Sequence, residues 1–339
     1  MPGPARPGRS SRAARIASVL AAFGAVVAVV AAGTPGGAED DPAGGPEAAA
    51  AAEPSPTASA SPRSGPLAAP APASDATPTP TAPPAAKAPA PAKPADTLAT
   101  AGARARKITD TTKDWASFTL LDRSTGKVVG DRRSSEVTFT ESTVKAWLAA
   151  DLLATRARQG TRPTAYETAR MTTMIQKSDD NSAAVIWRWL GADNAIRDMI
   201  STCKLQDTKV YPAWWSKTEI SSRDLARVGD CIVPGKGKLL SPQVGAPLVR
   251  LMRSVDVSNA FGIQQASPAG KGVRIGVKNG WTEHGASGQW NVNCLGIWGP
   301  GSRWVLAVTT RYPIGEGLGY GAAVCRRVTA SLFPLVKTR

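Results

Sequence analysis

The chain has 339 residues, with 41 lysines and arginines against 26 aspartates and glutamates, a net charge of +15 and a single histidine. One imidazole argues against a Ser-His-Asp catalytic design. A positive chain seeks anionic partners, but no Lys/Arg run with interleaved aromatics occurs, which sets nucleic acid aside.

Composition divides the chain. Residues 1–15 carry Arg6, Arg9, Arg12 and Arg15 and no acid, and residues 16–32 are an unbroken apolar or small run 17 long. A positive stretch before an apolar one is the pattern of an export signal, and the run is slightly short of the roughly 20 residues of a membrane-spanning helix. Residues 1–32 are read as a signal peptide or N-terminal membrane anchor. No cysteine lies near the end of the run, which excludes lipid attachment there. The expected location is outside the cytoplasm, secreted or anchored to the outer face of the cytoplasmic membrane. Residues 33–100 hold sixteen of the 28 prolines and no aromatic residue. Such a segment buries too little apolar surface to offset chain entropy and is expected to be a disordered, semi-stiff linker. All ten tryptophans lie beyond residue 100, so residues 101–339 are the expected folded domain. This part keeps 34 basic and 19 acidic residues, and outside a cell its natural anionic partners are membranes or wall polymers.

A helix is expected over residues 97–108. Residues 115–121 are β-prone, 122–126 form a turn, and 127–139 read as a second strand, completing a hairpin. A helix over 143–157 places Val144, Trp147, Leu148 and Leu152 on one face. Residues 163–190 supply two helical stretches with a break near Ser178. Ser221-Ser222-Arg223-Asp224 has the form of a capping box and opens a helix ending near Cys231. Three β-prone runs follow at 273–281, 290–298 and 304–311, and a helix over 321–333 closes the chain. Two strands early and three late predict an α+β fold: one five-stranded antiparallel sheet assembled from both ends, flanked by helices, with a helical subdomain inserted.

The four cysteines all lie in this domain. In an exported protein they suggest two disulfides, with three pairings open. Cys203–Cys231 and Cys294–Cys325 are favoured because each closes a local loop. No two cysteines have metal-ligand spacing, so no metal or other cofactor is expected.

Ser142-Thr143-Val144-Lys145 is the stretch that carries chemistry. Residues three apart lie on one helix face, so the hydroxyl and the amine can meet. A lysine that sheds its proton can activate a serine. Alone this spacing is common by chance. Two further motifs accompany it: Lys177-Ser178-Asp179-Asp180-Asn181-Ser182 in the helical block, and Lys278-Asn279-Gly280-Trp281 on the first late strand.

The three motifs in this order resemble those of the penicillin-recognising serine hydrolases, the class A β-lactamases and D-alanyl-D-alanine peptidases, as a divergent member. The resemblance spans nearly all of residues 101–339. It implies that Ser142 is the acylated nucleophile, Lys145 the base beside it, Ser178 the relay to the leaving nitrogen and Lys278 a cation holding the substrate carboxylate. Substrate-binding and oxyanion positions fall on Asp180, Asn279, Gly280 and Trp281, with the backbone N–H groups of Ser142 and Trp281 as the oxyanion hole. The implied substrate is a small molecule, a β-lactam, or a cell-wall peptide, taken by a monomer.

The chain departs from that pattern in three places. Asp180 stands where Asn is expected; sliding the motif by one restores Asn181 but puts Asp179 in place of serine. An acid at 180 loses an amide donor and favours protonated Lys145. Asn279 replaces Thr or Ser, its amide still able to donate to a carboxylate. The loop glutamate that hydrolyses the acyl-enzyme of class A β-lactamases has no match in residues 211–224, where Glu219 is the one glutamate and sits beside a helix cap. An acyl-enzyme that forms and lingers follows more readily than efficient hydrolysis. His284 reads as a solvated loop residue and Trp214-Trp215 as one wall of a cleft. The rival readings are a catalytically degenerate protein that binds wall peptide or a partner without turnover, and a basic domain adhering to anionic polymers.

Overall fold

The computed structural model describes residues 97–235, 238–266 and 274–336. The expected export segment, nearly all of the Pro/Ala-rich linker and Val273 lie outside them. Thr97 caps the first helix by accepting from the Thr100 N–H, and α1 runs Leu98–Thr111. Then come β1 (Trp115–Asp122) and β2 (Lys127–Gly130). The strand expected over 127–139 is corrected. Asp131 accepts from Ser117 Oγ at 2.9 Å and from the Arg133 N–H at 3.1 Å, which turns the chain out of the sheet. Residues beyond that turn form a separate strand, β3 (Val137–Phe139).

A 3-10 turn, Glu141–Val144, leads directly into α2 (Lys145–Arg158). The two expected helical stretches are α3 (Ala165–Gln176), held by a Thr164–Glu167 capping box, and α4 (Asp180–Trp189). The next helix, α5 (Asp193–Thr202), has no sequence signal, because its N-cap is Ala192 in a left-handed conformation with no side chain to cap it. β4 (Glu219–Ser221) pairs antiparallel with β3 as a small second sheet. Ser221 caps α6 (Ser222–Ile232) as expected. The reciprocal half of the capping box is replaced: one Asp224 oxygen accepts from the N–H groups of Gln206, Asp207 and Thr208 instead. α7 (Pro242–Met252) is a second helix without a sequence expectation, its Gly245 and Pro247 being poor formers.

The late strands are β5 (Gly276–His284), β6 (Gln289–Trp298) and β7 (Trp304–Pro313), and α8 (Gly317–Val336) follows. The main sheet has the order β2-β1-β7-β6-β5, all antiparallel, so the two ends of the domain meet where Phe118 pairs with Val308. Alternate residues serve two cores. Leu295, Ile297, Val305 and Ala307 pack toward α2 and α6, while Phe118, Leu120, Leu306 and Val308 pack toward α1 and α8. With both faces covered, the strands read as near-continuous apolar runs. Both favoured disulfides are present: Cys203–Cys231 ties the end of α5 to α6, and Cys294–Cys325 ties β6 to α8.

Candidate active site

Ser142 sits half-buried in the 3-10 turn that opens α2, on the wall of a cleft of about 800 Å³. Thr143 pins the turn, its hydroxyl donating to the Thr140 carbonyl at 2.6 Å. β5 presses on the turn at Gly280, where a Cβ would lie 2.6 Å from the Ser142 nitrogen and 2.7 Å from the Thr143 nitrogen. Only glycine permits this approach.

Lys145 begins α2 with its side chain fully buried. Its ammonium donates to the Ser178 carbonyl and to Asp180 Oδ1, both at 2.5 Å, and lies 3.4 Å from Ser178 Oγ. The Trp215 ring caps it at 5.0 Å. The expectation that the hydroxyl and amine of Ser142 and Lys145 meet is corrected: among the described residues, Ser142 Oγ has no hydrogen-bond partner, and the amine is drawn to Asp180. Burial pushes the Lys145 pKa down, and the Asp180 carboxylate opposes that fall.

Ser178 joins α3 to α4 with φ of +58°, a conformation rare for a non-glycine residue. Its Oγ accepts from the Lys278 ammonium at 2.8 Å. Asp179 instead caps α4, accepting from the Ser182 N–H at 2.6 Å. Ser178, not Asp179, therefore faces the lysines, which fixes the register left open by the sequence. Asp180 follows as the first residue of α4, and its side chain and that of Asn181 line the cleft.

Lys278 is buried on β5 and also donates to the Asn279 carbonyl at 2.8 Å. Burial drives its pKa well below the ordinary lysine value, and the nearby Lys145 charge drives it further. The role expected for the Asn279 amide is corrected. Both amide hydrogens are taken by the carbonyls of Asn259 and Phe261, at 2.9 Å each, so the group braces β5 and is not offered to a substrate. Trp281 faces the cleft and packs edge-on against Phe261, with ring centroids 5.2 Å apart.

Trp214 and Trp215 form the opposite wall, as the sequence suggests, and Lys217 stacks over Trp214 at 4.5 Å. Glu219 lies on β4, 3.8 Å from Lys209, and does not line the cleft. Among the described residues, the carboxylates that do are Glu141, Asp180 and Glu283. Among the described residues, no group of three or more His, Cys, Asp or Glu side chains could hold a metal ion.

The sequence model of the beta-lactamase enzyme family matches residues 155–332, just over half of the chain. The chain belongs to this family. The match begins beyond Lys145, so Ser142 and Lys145 rest on their geometry and on the motif order. No curated protein sequence matches the chain. Among solved structures, an ancestral class A beta-lactamase is 19% identical, with a TM-score of 0.56 over 69% of this chain and 98% of its own. A beta lactamase from Burkholderia vietnamiensis is 18% identical, with a TM-score of 0.57 over 70% of this chain and 97% of its own. One from Xanthomonas campestris pv. campestris is also 18% identical, with a TM-score of 0.55 over 70% and 97%. At these identities the likeness establishes the β-lactamase fold: an antiparallel sheet flanked by helices.

Two residues of the cleft escaped the sequence reading. His284 was expected as a solvated loop residue, but it is the last residue of β5 and its Nε2 lies 2.7 Å from Glu141 Oε1. Glu141, next to Ser142, is buried and in a left-handed conformation with φ of +48°. The two are 143 residues apart in sequence, a distance no periodicity argument spans.

Proposed function

We propose that this beta-lactamase-family protein is an exported serine hydrolase that forms an acyl-serine at Ser142 from a β-lactam or a cell-wall peptide and releases it slowly. The observation that carries the reading is a continuous polar line, Lys145 to Ser178 to Lys278, running behind a cleft in which Ser142 Oγ is left without a partner. In the reaction, Ser142 Oγ bonds to the carbonyl carbon of the substrate and the carbon–nitrogen bond breaks. The Ser142 proton passes to a neutral lysine, and a proton reaches the leaving nitrogen through the Ser178 hydroxyl. Burial supports the neutral form of Lys145 and Lys278. Oxyanion stabilisation falls to the Ser142 and Trp281 N–H groups, where Gly280 brings β5 against the nucleophile turn. Water must then cleave the ester. Glu219, the carboxylate of the loop where class A enzymes carry their deacylation base, lies outside the cleft lining, which supports a long-lived adduct.

The Lys145–Asp180 contact favours a second reading, a member that binds wall peptide or a partner without turnover, because an ammonium held by a carboxylate is a poor base. Export rests on the apolar run at residues 16–32, and the linker would carry the domain away from the membrane. The domain acts as a monomer in either reading, and its surplus of basic residues suits anionic wall polymers. Intact mass spectrometry after incubation with a penicillin tests the proposal. An adduct on the parent and none on Ser142→Ala supports acyl-serine chemistry, and its lifetime measures the slow release. No adduct at any pH supports the binding reading.

A further inference from the structure

Glu141 has no part in the reading of Ser142, Lys145, Ser178 and Lys278, yet it is built into the same site. Its side chain is 2% exposed. Among the described residues its one ion-pair partner is His284, and no lysine or arginine neutralises it. A carboxylate so buried is costly unless its lone pairs are satisfied. Three donors face it: Thr282 Oγ1 lies 2.5 Å from Oε2, its one hydrogen shared with the Trp281 carbonyl at 2.7 Å, while His284 Nε2 lies 2.7 Å and Asn291 Nδ2 3.2 Å from Oε1. All three come from the adjoining ends of β5 and β6. A carboxylate oxygen accepts, so the tautomer that serves this contact carries its hydrogen on Nε2.

The backbone supplies the second observation. Glu141 holds φ of +48°, a conformation that costs a non-glycine residue about 1–3 kcal/mol and persists only where surroundings over-determine it. The strained residue immediately precedes Ser142, so its conformation sets where the hydroxyl points.

We propose that Glu141 is a positioning residue. Its carboxylate, clamped by Thr282, His284 and Asn291, holds the strained turn against β5 and aims Ser142 into the cleft. Other charged groups surround the pair. Glu283 adjoins it on β5, Lys217 and Asp180 line the cleft, Lys145 and Lys278 lie beyond Ser142, and Arg311 stands opposite Asn291 on β7, stacked on Trp115. The kinetic part of this inference rests on acylation at Ser142; the structural part does not.

The test uses the full-length protein with two readouts: amide hydrogen exchange of residues 139–146, and the rate of penicillin adduct formation across pH. Glu141→Gln cannot accept from three donors, and it is expected to speed exchange in this segment at least tenfold. It is also expected to slow acylation at saturating penicillin about 100-fold, with little change in the half-saturating concentration. His284→Gln is expected to acylate more slowly. Should Glu141→Gln fail to fold, Thr282→Val, which removes one donor, takes its place. Unchanged exchange in the Glu141 or Thr282 variant overturns the clamp. If the parent forms no adduct at any pH, acyl-serine chemistry fails, and the exchange readout alone decides whether the clamp exists.

Discussion

Lys145 and Asp180 meet at 2.5 Å with opposite exposures: the lysine side chain is fully buried, while the aspartate is 78% exposed. The lysine has already lost its hydration and cannot improve its position, whereas the carboxylate can turn into solvent at little cost. In the proposed reaction Asp180 is therefore a detachable brake on Lys145. In the Asp180→Asn variant, the group that opposes the burial-driven fall of the Lys145 pKa is removed. Its acylation rate is expected to rise about tenfold near neutral pH, the equivalent of ~1.4 kcal/mol, and the rising limb of its pH–rate profile to move toward lower pH. Because Asp180 is mostly exposed, salt screens its charge, so parent and variant should converge at high ionic strength. Stopped-flow acylation at two salt concentrations checks both; a variant no faster than the parent refutes the brake.

Lys278 is expected to trade stability for function. Burial and the Lys145 charge hold its folded-state pKa well below the unfolded value, so the unfolded chain binds the extra proton between the two. Stability therefore rises with pH through that window, and the penalty of burying the charge is complete below the folded-state pKa. Lys278→Met removes the penalty. The variant is expected to lose acylation and to gain on the order of 1–3 kcal/mol at neutral pH, within the range found when buried ionic groups are replaced by apolar ones. The gain should shrink as the pH approaches the ordinary lysine value. Urea unfolding at several pH values measures it, and a destabilised variant at neutral pH contradicts the assignment.

The sheet, its five strands and both disulfides were legible in the sequence because each rests on a local signal: apolar alternation, a turn, or cysteines closing a short loop. What failed was long-range or conformational. The strand expected over 127–139 split because Asp131 finds Ser117 and the Arg133 N–H, a side-chain choice that hydrophobicity does not encode. Asn279 was given to the substrate because its type allowed it, whereas the carbonyls of Asn259 and Phe261 take both its donors. Ser142 and Lys145 were placed on one helix face by their spacing, whereas Ser142 lies in the 3-10 turn ahead of α2, and Asp180, 35 residues on, redirects the amine. The pairing of Glu141 with His284 left no sequence trace beyond the identity of the two residues.

The close approach of β5 to the turn that carries Ser142 constrains Gly280. In Gly280→Ala the added methyl would lie 2.6 Å from the Ser142 nitrogen and 2.7 Å from that of Thr143, contacts that neither backbone can relieve without moving. Overpacking of this kind costs about 1–3 kcal/mol. The catalytic effect is expected to exceed the stability effect, because a shift of about 1 Å at the reacting group can cost on the order of 100-fold in rate. A folded variant with a modestly lowered melting temperature and little adduct formation is the expected outcome. Acylation at the parental rate would mean that β5 does not set the position of Ser142.

The two disulfides restrain different layers, and this separates their effects. Cys203–Cys231 closes a 28-residue separation within the helical block, and Cys294–Cys325 a 31-residue separation between β6 and α8. On the chain-entropy argument each stabilises the fold by about 3.6 kcal/mol. Replacing the first pair by serine loosens α5 and α6, which lie on the α2 side of the sheet. Replacing the second loosens α8, on the face away from the cleft. Comparable losses of stability are therefore expected from either replacement, but exchange at residues 139–146 should quicken more when Cys203–Cys231 is removed. Equal local effects would show that the two layers unfold as one unit and that α8 supports the nucleophile turn as directly as α6 does.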